Sequence, residues 1–259
     1  MGIINITPDS FSDGGRFFHT KAAIERAFEL QAEGADIIDI GGESTRPGAE
    51  RVSLFEERRR VIPVIEALAG ELTIPISIDT SKPGVASRAL EAGAVVVNDI
   101  SGLQSEEMMK IIAQNDAGVI IMHMRGTPAD MQRNPEYDHV IKEIAEFLQK
   151  RKSSAIVHGI DEAQIALDPG IGFGKRLQDN LEILQQLRCF KELASPLLVG
   201  PSRKSFIGTL TGLSADERLE GTLASVVLAA ANGADIVRVH DIAAVKRALL
   251  VADAIVRRN

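Results

Sequence analysis

FELQAEGADIIDI, residues 28–40, reads as a helix, a stop and a strand. Gly34 stands where a helix needs a left-handed residue to end, and Ala35-Asp36 lead into a β-branched run. The same order of residues returns at LEAGAVVV, residues 90–97, and at ANGADIV, residues 231–237. These runs are apolar without period-2 alternation, which marks parallel strands covered on both faces.

Working outward, eight short apolar runs end in polar residues: Asn5, Asp39 with Thr45, Asp79, Asn98, His123, Asp168, Lys204, and Arg238 with His240. Helical patterns lie between them. This repetition is how an α/β protein of the (β/α)8 TIM-barrel class builds an active site from the C-terminal ends of its strands. Strands are expected near 2–6, 36–40, 74–79, 95–98, 118–123, 164–168, 196–200 and 235–239. Helices are expected near 20–33, 53–70, 83–92, 105–116, 137–158, 177–192, 214–232 and 241–257. No Pro/Gly/Ser-rich linker divides the chain, so 1–259 is expected to be one domain. A doubly wound sheet would want a Gly-rich fingerprint after strand 1, and NITPDSFSDGG at 5–15 lacks its spacing. The connections from Thr7 to His19 and from Gly41 to Val52 are long, as lids and substrate clamps are.

With 259 residues, 45% of them hydrophobic, the chain has the size and core of one such barrel. A net charge of -7 argues against a nucleic-acid partner, since neutralising phosphates needs clustered Lys and Arg. Arg58-Arg59-Arg60 follows Glu56-Glu57 and reads as a solvated helix face. The single cysteine, Cys189, excludes an internal disulfide; within LEILQQLRCFKEL, 181–193, it reads as a small buried hydrophobe. No run of 18 apolar residues suggests a membrane span. The first residues lack the pattern of a signal peptide, so a cytoplasmic protein is expected.

Three strand ends offer acceptors to one mouth: Asp79, Asp168 and the amide of Asn98. Such a set suits a flat heterocycle with N–H groups along one edge, because carboxylates accept paired, charge-assisted hydrogen bonds. A single Asp here could equally cap the next helix. Arg203, Lys204, Arg238 and His240, with Ser202, cluster after strands 7 and 8, the usual phosphate site of this fold. They point to an anion with more than one phosphate. DPGIGFGK, 168–175, lacks P-loop spacing, so its glycines read as a tight turn. His123 reads as a structural donor, and Met122 and Met124 as possible core. The histidines, His19, His123, His139, His158 and His240, show no i,i+4 metal spacing, so no fixed zinc site is expected.

Taken in order, MGIINITPDSFSDGG (1–15), EGADIIDIGGESTRPGA (33–49), SIDTSK (77–82), VNDISG (97–102), MHMRGTP (122–128), DPGIGFGK (168–175), GPSRKSFIG (200–208) and RVHD (238–241) resemble the dihydropteroate synthase family, folate-pathway enzymes targeted by sulfonamides. The resemblance covers nearly the whole chain. It implies condensation of 6-hydroxymethyl-7,8-dihydropterin diphosphate with 4-aminobenzoate to give dihydropteroate and diphosphate. By the same resemblance Asp79, Asn98, Asp168 and Lys204 hold the pterin, with Met122 and Arg238 on its faces. Asn5, Arg46, Arg238 and His240 bind the diphosphate, and Mg2+ bridges it to Asn5. Thr45, Pro47, Phe173 and Ser205 shape the aminobenzoate pocket, closed by the loop of Phe11 and Asp13. Lys204, Asp79, Asp168 and Asp13 are the residues it assigns to catalysis. It also implies a homodimer formed through late helices, for which the Ala-rich TLASVVLAAAN, 222–232, is apolar enough.

Two alternatives remain at this point. A pterin methyltransferase of the same fold would not use the cations of loops 7 and 8 or NITPDSFSDGG. A non-catalytic pterin-binding paralogue would typically have lost Asn5, Thr45 or Lys204, all present here. Members of the family usually carry a segment before strand 1, whereas Met1 here lies within it; a barrel edge left partly unpaired is therefore expected.

Overall fold

The computed structural model describes residues 1–7, 16–44, 48–49 and 51–256, without the side chains of 16–19. Parallel strands β1 (Gly2–Asn5), β2 (Ile38–Gly41), β3 (Ile76–Asp79), β4 (Val96–Asp99), β5 (Gly118–Met122) and β6 (Ile165–Asp168) pair in chain order. Strands β7 (Leu198–Val199) and β8 (Ile236–Val237) pair with each other. Two parallel bridges, Leu167 with Leu197 and Gly2 with Val239, join the two sheets and close the barrel.

The expected loose edge at strand 1 does not occur. The Met1 ammonium donates to Val237 O at 2.9 Å, Val239 N donates to Met1 O at 3.0 Å, and Ile3 N donates to Val239 O at 3.2 Å. The first residue itself completes the seam, so β1 is paired on both sides.

Between the strands run α1 (Arg16–Ala32), α2 (Leu54–Leu68), α3 (Pro83–Glu91), α4 (Glu106–Gln114), α5 (Val140–Val157), α6 (Leu177–Gln185), α7 (Ser205–Thr211) and α8 (Leu219–Ala231), and α9 (Ile242–Val256) follows β8. Local chemistry sets several starts. Ser53 Oγ accepts from Glu56 N to cap α2, and Pro83 occupies the first turn of α3, where its missing N–H costs nothing. Gly34, Gly93 and Gly233, at φ +96°, +115° and +103°, supply the left-handed stops of the repeated grammar.

Three expectations shift. Helix 1 begins at Arg16, so the first long connection is shorter than expected. The helix expected at 177–192 is α6 followed by a 3-10 turn, Leu187–Leu193, and that turn exposes Cys189. At three residues per turn Leu187, Phe190 and Leu193 share the inner face, so the cysteine between them faces out. Finally, α7 lies where no helix was expected, and α8 starts only at Leu219.

Strand parity divides the core in two. Alternate residues Met1, Ile120, Ala166 and Leu198, with Ile37, Val96 and Ile236, fill the barrel interior. The intervening positions, Ile4, Ile38, Ile40, Ile78, Val97, Ile121 and Leu167, pack outward against the helices in a larger cluster. Two residues beyond Ile37, Val96, Ala166 and Ile236 stand Asp39, Asn98, Asp168 and Arg238, polar groups of the mouth.

Candidate active site

Register places Asn5 beside Gly41, Gly41 beside Asp79 and Asp79 beside Asn98, in one row across four strand ends. Met122 stands beside Asp168 in the neighbouring pair. Because the side-chain period of a strand is 2, Asp39, two residues before Gly41, faces the same interior. It is fully buried.

Arg238 joins these carboxylates. Its Nε lies 2.6 Å from Asp39 Oδ2 and its Nη2 lies 2.8 Å from Asp79 Oδ2, while Asn98 Nδ2 donates to Asp39 Oδ2 at 3.1 Å. Asp39 Oδ1 is buried without a hydrogen-bond partner. Burial opposes the charge of Arg238, but Asp39 and Asp79 outweigh it and hold the guanidinium above its ordinary value. Asp79 is pushed up to about 7, by burial first, against the attraction of Arg238 and with repulsion from Asp39. None of these groups caps a helix; α3 starts at a Lys82 cap with no side-chain bond.

Opposite this cluster Asp168 accepts from Gly170 N at 2.7 Å, and burial raises its carboxyl to about 6. The loop that follows makes the tight turn expected of DPGIGFGK. Gly170 and Gly174 have φ +73° and +59°, and a Cβ there would lie 1.9 Å from His123 O and 2.2 Å from Arg125 O. Only glycine lets the loop lie against the end of β5. Phe173 is thereby buried with Met122 and Met131, and Lys204 Nζ stands 3.9 Å from the centre of its ring. Burial, helped by Arg238 and opposed by Asp168 and Asp79, pulls Lys204 down to about 8. Lys204 thus faces an aromatic ring on one side and the carboxylate floor on the other.

At the end of β8, Ser202 Oγ lies 2.9 Å from His240 Nδ1 and accepts from His240 N at 3.3 Å. In the tautomer whose Nδ1 accepts the Ser202 hydroxyl proton, the imidazole carries its own proton on Nε2 as a donor. Burial, with Arg203 and Arg238, lowers His240 to about 4, so the imidazole is neutral near pH 7.

Of the four cations and donors expected after strands 7 and 8, Lys204, Arg238 and His240 gather here and Arg203 does not. Its guanidinium pairs with Asp241 at 2.7 and 3.1 Å, a fork that ties loop 7 to the start of the last connection. Ser205 opens α7 and is exposed. Asn5 is half-buried at the end of β1. Phe11, Asp13, Thr45, Arg46 and Pro47 lie outside the described residues.

Several buried polar groups carry roles that the sequence reading did not give them, among them Asp39, Glu57 and Lys175. Asp39 is the counter-ion of Arg238. Glu57, inside the run read as a solvated face, is 1% exposed; it accepts from Thr80 Oγ1 at 2.6 Å and pairs with Lys82, which also pairs with Glu43. The neighbouring arginines are half-buried too: Arg58 donates to Gly84 O, and Arg60 to Gly42 O. Lys175, the last residue of DPGIGFGK, is buried with its Nζ 3.0 Å from Nδ1 of His123, which gives His123 a structural partner. Among the described residues no three His, Cys, Asp or Glu side chains converge as a metal set.

A family model described as "Pterin binding enzyme" matches residues 1–240. The dihydropteroate synthase of Synechocystis is 52% identical over 259 residues, which cover 99% of this chain and 90% of that protein. A crystal structure of the Yersinia pestis dihydropteroate synthase with a sulfonamide drug complex aligns with a TM-score of 0.95 at 43% identity, covering 100% of this chain and 94% of that one. The Xanthomonas albilineans dihydropteroate synthase in complex with 7,8-dihydropteroate aligns with a TM-score of 0.90 at 43% identity, covering 98% and 92%.

Proposed function

The chain belongs to the pterin-binding enzymes, in the dihydropteroate synthase family, and from that premise we propose how its residues carry out the reaction. The protein is a transferase. It condenses 6-hydroxymethyl-7,8-dihydropterin diphosphate with 4-aminobenzoate, giving 7,8-dihydropteroate and diphosphate. The observation that supports this best is the buried Arg238 cluster with Asp39, Asp79 and Asn98, facing Asp168 and Lys204 across the mouth.

A pterin is a flat ring system with a guanidine-like edge. Asp168 meets that edge with a carboxylate already oriented by Gly170 N. Asp79, Asn98 and Lys204 hold the remaining ring heteroatoms, and the Met122 thioether and Arg238 guanidinium lie against its faces. As the bond from the exocyclic methylene carbon to the diphosphate oxygen breaks, positive charge spreads into the ring. The buried carboxylates of Asp79 and Asp168 oppose that charge in a low-dielectric site. The amine nitrogen of 4-aminobenzoate forms the new bond to the methylene carbon and loses one proton to solvent; the electron pair of the broken bond leaves with diphosphate. No protein nucleophile takes part.

His240, Arg238, Asn5 and Arg46 receive the diphosphate, and His240 acts as a neutral Nε2–H donor. Mg2+ fits at Asn5. Gly41 has no side chain, and a Cβ there would lie 3.6 Å from both Asn5 Oδ1 and Asp79 Oδ2, so the bare glycine leaves an oxygen-lined corner. Mg2+ commonly takes one or two protein oxygens and completes its shell with phosphate and water. When bound, the ion neutralises the leaving diphosphate as a Lewis acid.

Phe173, Ser205, Thr45 and Pro47 form the aminobenzoate pocket, under a loop carrying Phe11 and Asp13, and Asp13 assists catalysis from that loop. Sulfonamides compete for this pocket. The protein works as a cytoplasmic homodimer, and the exposed Leu228, Leu250, Val251 and Ile255 of α8 and α9 supply the apolar contact. No described helix is long and apolar enough to cross a membrane. The reading is tested by Lys204→Ala and Asp168→Asn, each checked for a native fold by circular dichroism. Each cuts turnover by about a hundredfold or more, as loss of a preorganised charge does; near-normal turnover in a folded variant overturns it.

A further inference from the structure

Two lysines with no part in the reaction are buried among the described residues, Lys152 and Lys175, and Lys152 pairs with Glu162 at 2.6 Å. Lys175 is 3% exposed and forms no ion pair among the described residues. Its Nζ instead meets three neutral groups: His123 Nδ1 at 3.0 Å, His123 O at 3.3 Å and Phe173 O at 3.0 Å. A buried amine without a counter-ion is costly, so what it holds in place matters.

Two of these partners belong to the end of β5 and the third is the backbone of the residue whose ring lies under Lys204. Phe173 sits between Gly172 and Gly174, both at positive φ; its N–H donates to Gly170 O at 3.1 Å, and the Tyr137 hydroxyl donates to Gly174 O at 2.7 Å. Beyond Lys175, its neighbour Gly172 is fixed by Asn180 Oδ1, which accepts from Gly172 N at 2.6 Å, and by Gln132, which donates to Gly172 O at 2.9 Å. No bond from the Phe173 carbonyl to another side chain accompanies that of Lys175 among the described residues.

We infer that Lys175 is a positioning residue that clamps Phe173 to the end of β5 and thereby sets the affinity for the aromatic amine substrate. The inference rests on the placing of Phe173 in the aminobenzoate pocket. The clamp holds in either protonation state. An ammonium donates to all three partners; a neutral amine donates to the two carbonyls and accepts from His123 once the imidazole carries its proton on Nδ1. Burial lowers Lys175 to about 7 and His123 to about 2, so the imidazole stays neutral and free to change tautomer. The charged groups facing this amine are Asp168, Lys204, Asp179 and Arg125.

The test uses the whole protein with Lys175→Met, Phe173→Ala and the double variant, and steady-state kinetics in both substrates at pH 8. Lys175→Met should raise KM for 4-aminobenzoate about tenfold, with kcat and KM for the pterin diphosphate within about twofold. Because Lys175 acts through Phe173, the double variant should be no worse than Phe173→Ala alone. If Phe173→Ala raises that KM and Lys175→Met does not, the clamp is wrong while the pocket stands. If neither raises it, the pocket assignment fails and the clamp with it. A uniform loss in kcat and both KM values also overturns the clamp. Should Lys175→Met not fold, Lys175→Gln gives the same readouts.

Discussion

Arg238 Nε lies 2.6 Å from Asp39 Oδ2, so a residue of the last strand end is bonded to one of the second strand, 199 positions away, across the interior of the barrel. With the bond to Asp79 at 2.8 Å, one guanidinium holds two buried carboxylates on adjacent strands. The floor of the mouth is therefore a charged network rather than a set of independent ligands, and its parts should respond together to mutation.

Arg238→Met leaves Asp39 and Asp79 buried without a cation, which should destabilise the fold by about 3–5 kcal/mol. Adding Asp39→Asn removes one of the two stranded charges, so the double variant should recover part of that loss. Urea denaturation of both single variants and the double gives the coupling; additive losses would show that the two side chains act independently.

Asp168→Asn should abolish most turnover and yet stabilise the protein at pH 8. In the fold the carboxyl is raised from 3.8 to about 6. A group with a raised folded value contributes stability that is full below its unfolded value and is lost as pH rises through its folded value. At about 1.4 kcal/mol per pH unit the loss by pH 8 amounts to roughly 3 kcal/mol at most, which the neutral amide avoids. Thermal melts should therefore show the variant above wild type at pH 8, with the gap closing towards pH 4. An Asn variant less stable at pH 8 would contradict the burial argument.

The pH dependence of kcat/KM should be bell-shaped. Ionised Asp168 and Asp79 are needed for the pterin, and they stand near 6 and 7, so activity should rise with pH across that interval. Protonated Lys204 is needed as well, and it stands near 8, so activity should fall as pH passes that value. The limbs report the coupled group rather than single residues. A profile flat from pH 5.5 to 9 would rule out this assignment.

Gly170→Ala and Gly212→Ala share a positive φ, +73° and +75°, but differ in space. A Cβ at Gly170 would meet His123 O at 1.9 Å, whereas nothing lies within 4 Å at Gly212. Gly212→Ala should cost only the backbone term, about 1–2 kcal/mol. Gly170→Ala should cost clearly more and also reduce activity, because it lifts the loop carrying Phe173. Equal melting temperatures for the two variants would refute the close packing of the turn at Gly170 on the end of β5.

The residues most readable in the sequence were those at strand ends. Asp79, Asn98 and Asp168 each follow an apolar run, and the register puts all three around the mouth. Asp39 was read as a strand end but given no role, because its partner Arg238 lies 199 positions away and only the closed barrel brings the two together. Glu57 was hidden by its charged neighbours: the run FEERRR suggests one solvated face, but Glu57 begins the buried stripe of Val61, Val64, Ile65 and Leu68 at helical spacing. Lys175 left no signal, because its partners are two carbonyls and an imidazole brought together only by the fold. Helix α7 was missed because seven residues ending at Gly212 are too short for periodicity to register. Arg203 looked like a phosphate ligand until its fork with Asp241 was seen.

The central claim is that this mouth joins an aromatic amine to a pterin methylene with loss of diphosphate. The most direct measurement is product stoichiometry: purified protein, Mg2+, pterin diphosphate and 4-aminobenzoate, with dihydropteroate and diphosphate quantified together over time. The account predicts that both appear at a ratio of about one to one, and that neither forms when either substrate is withheld or when Lys204→Ala replaces the wild type. Release of diphosphate without 4-aminobenzoate, or no dihydropteroate from a correctly folded protein, would contradict it.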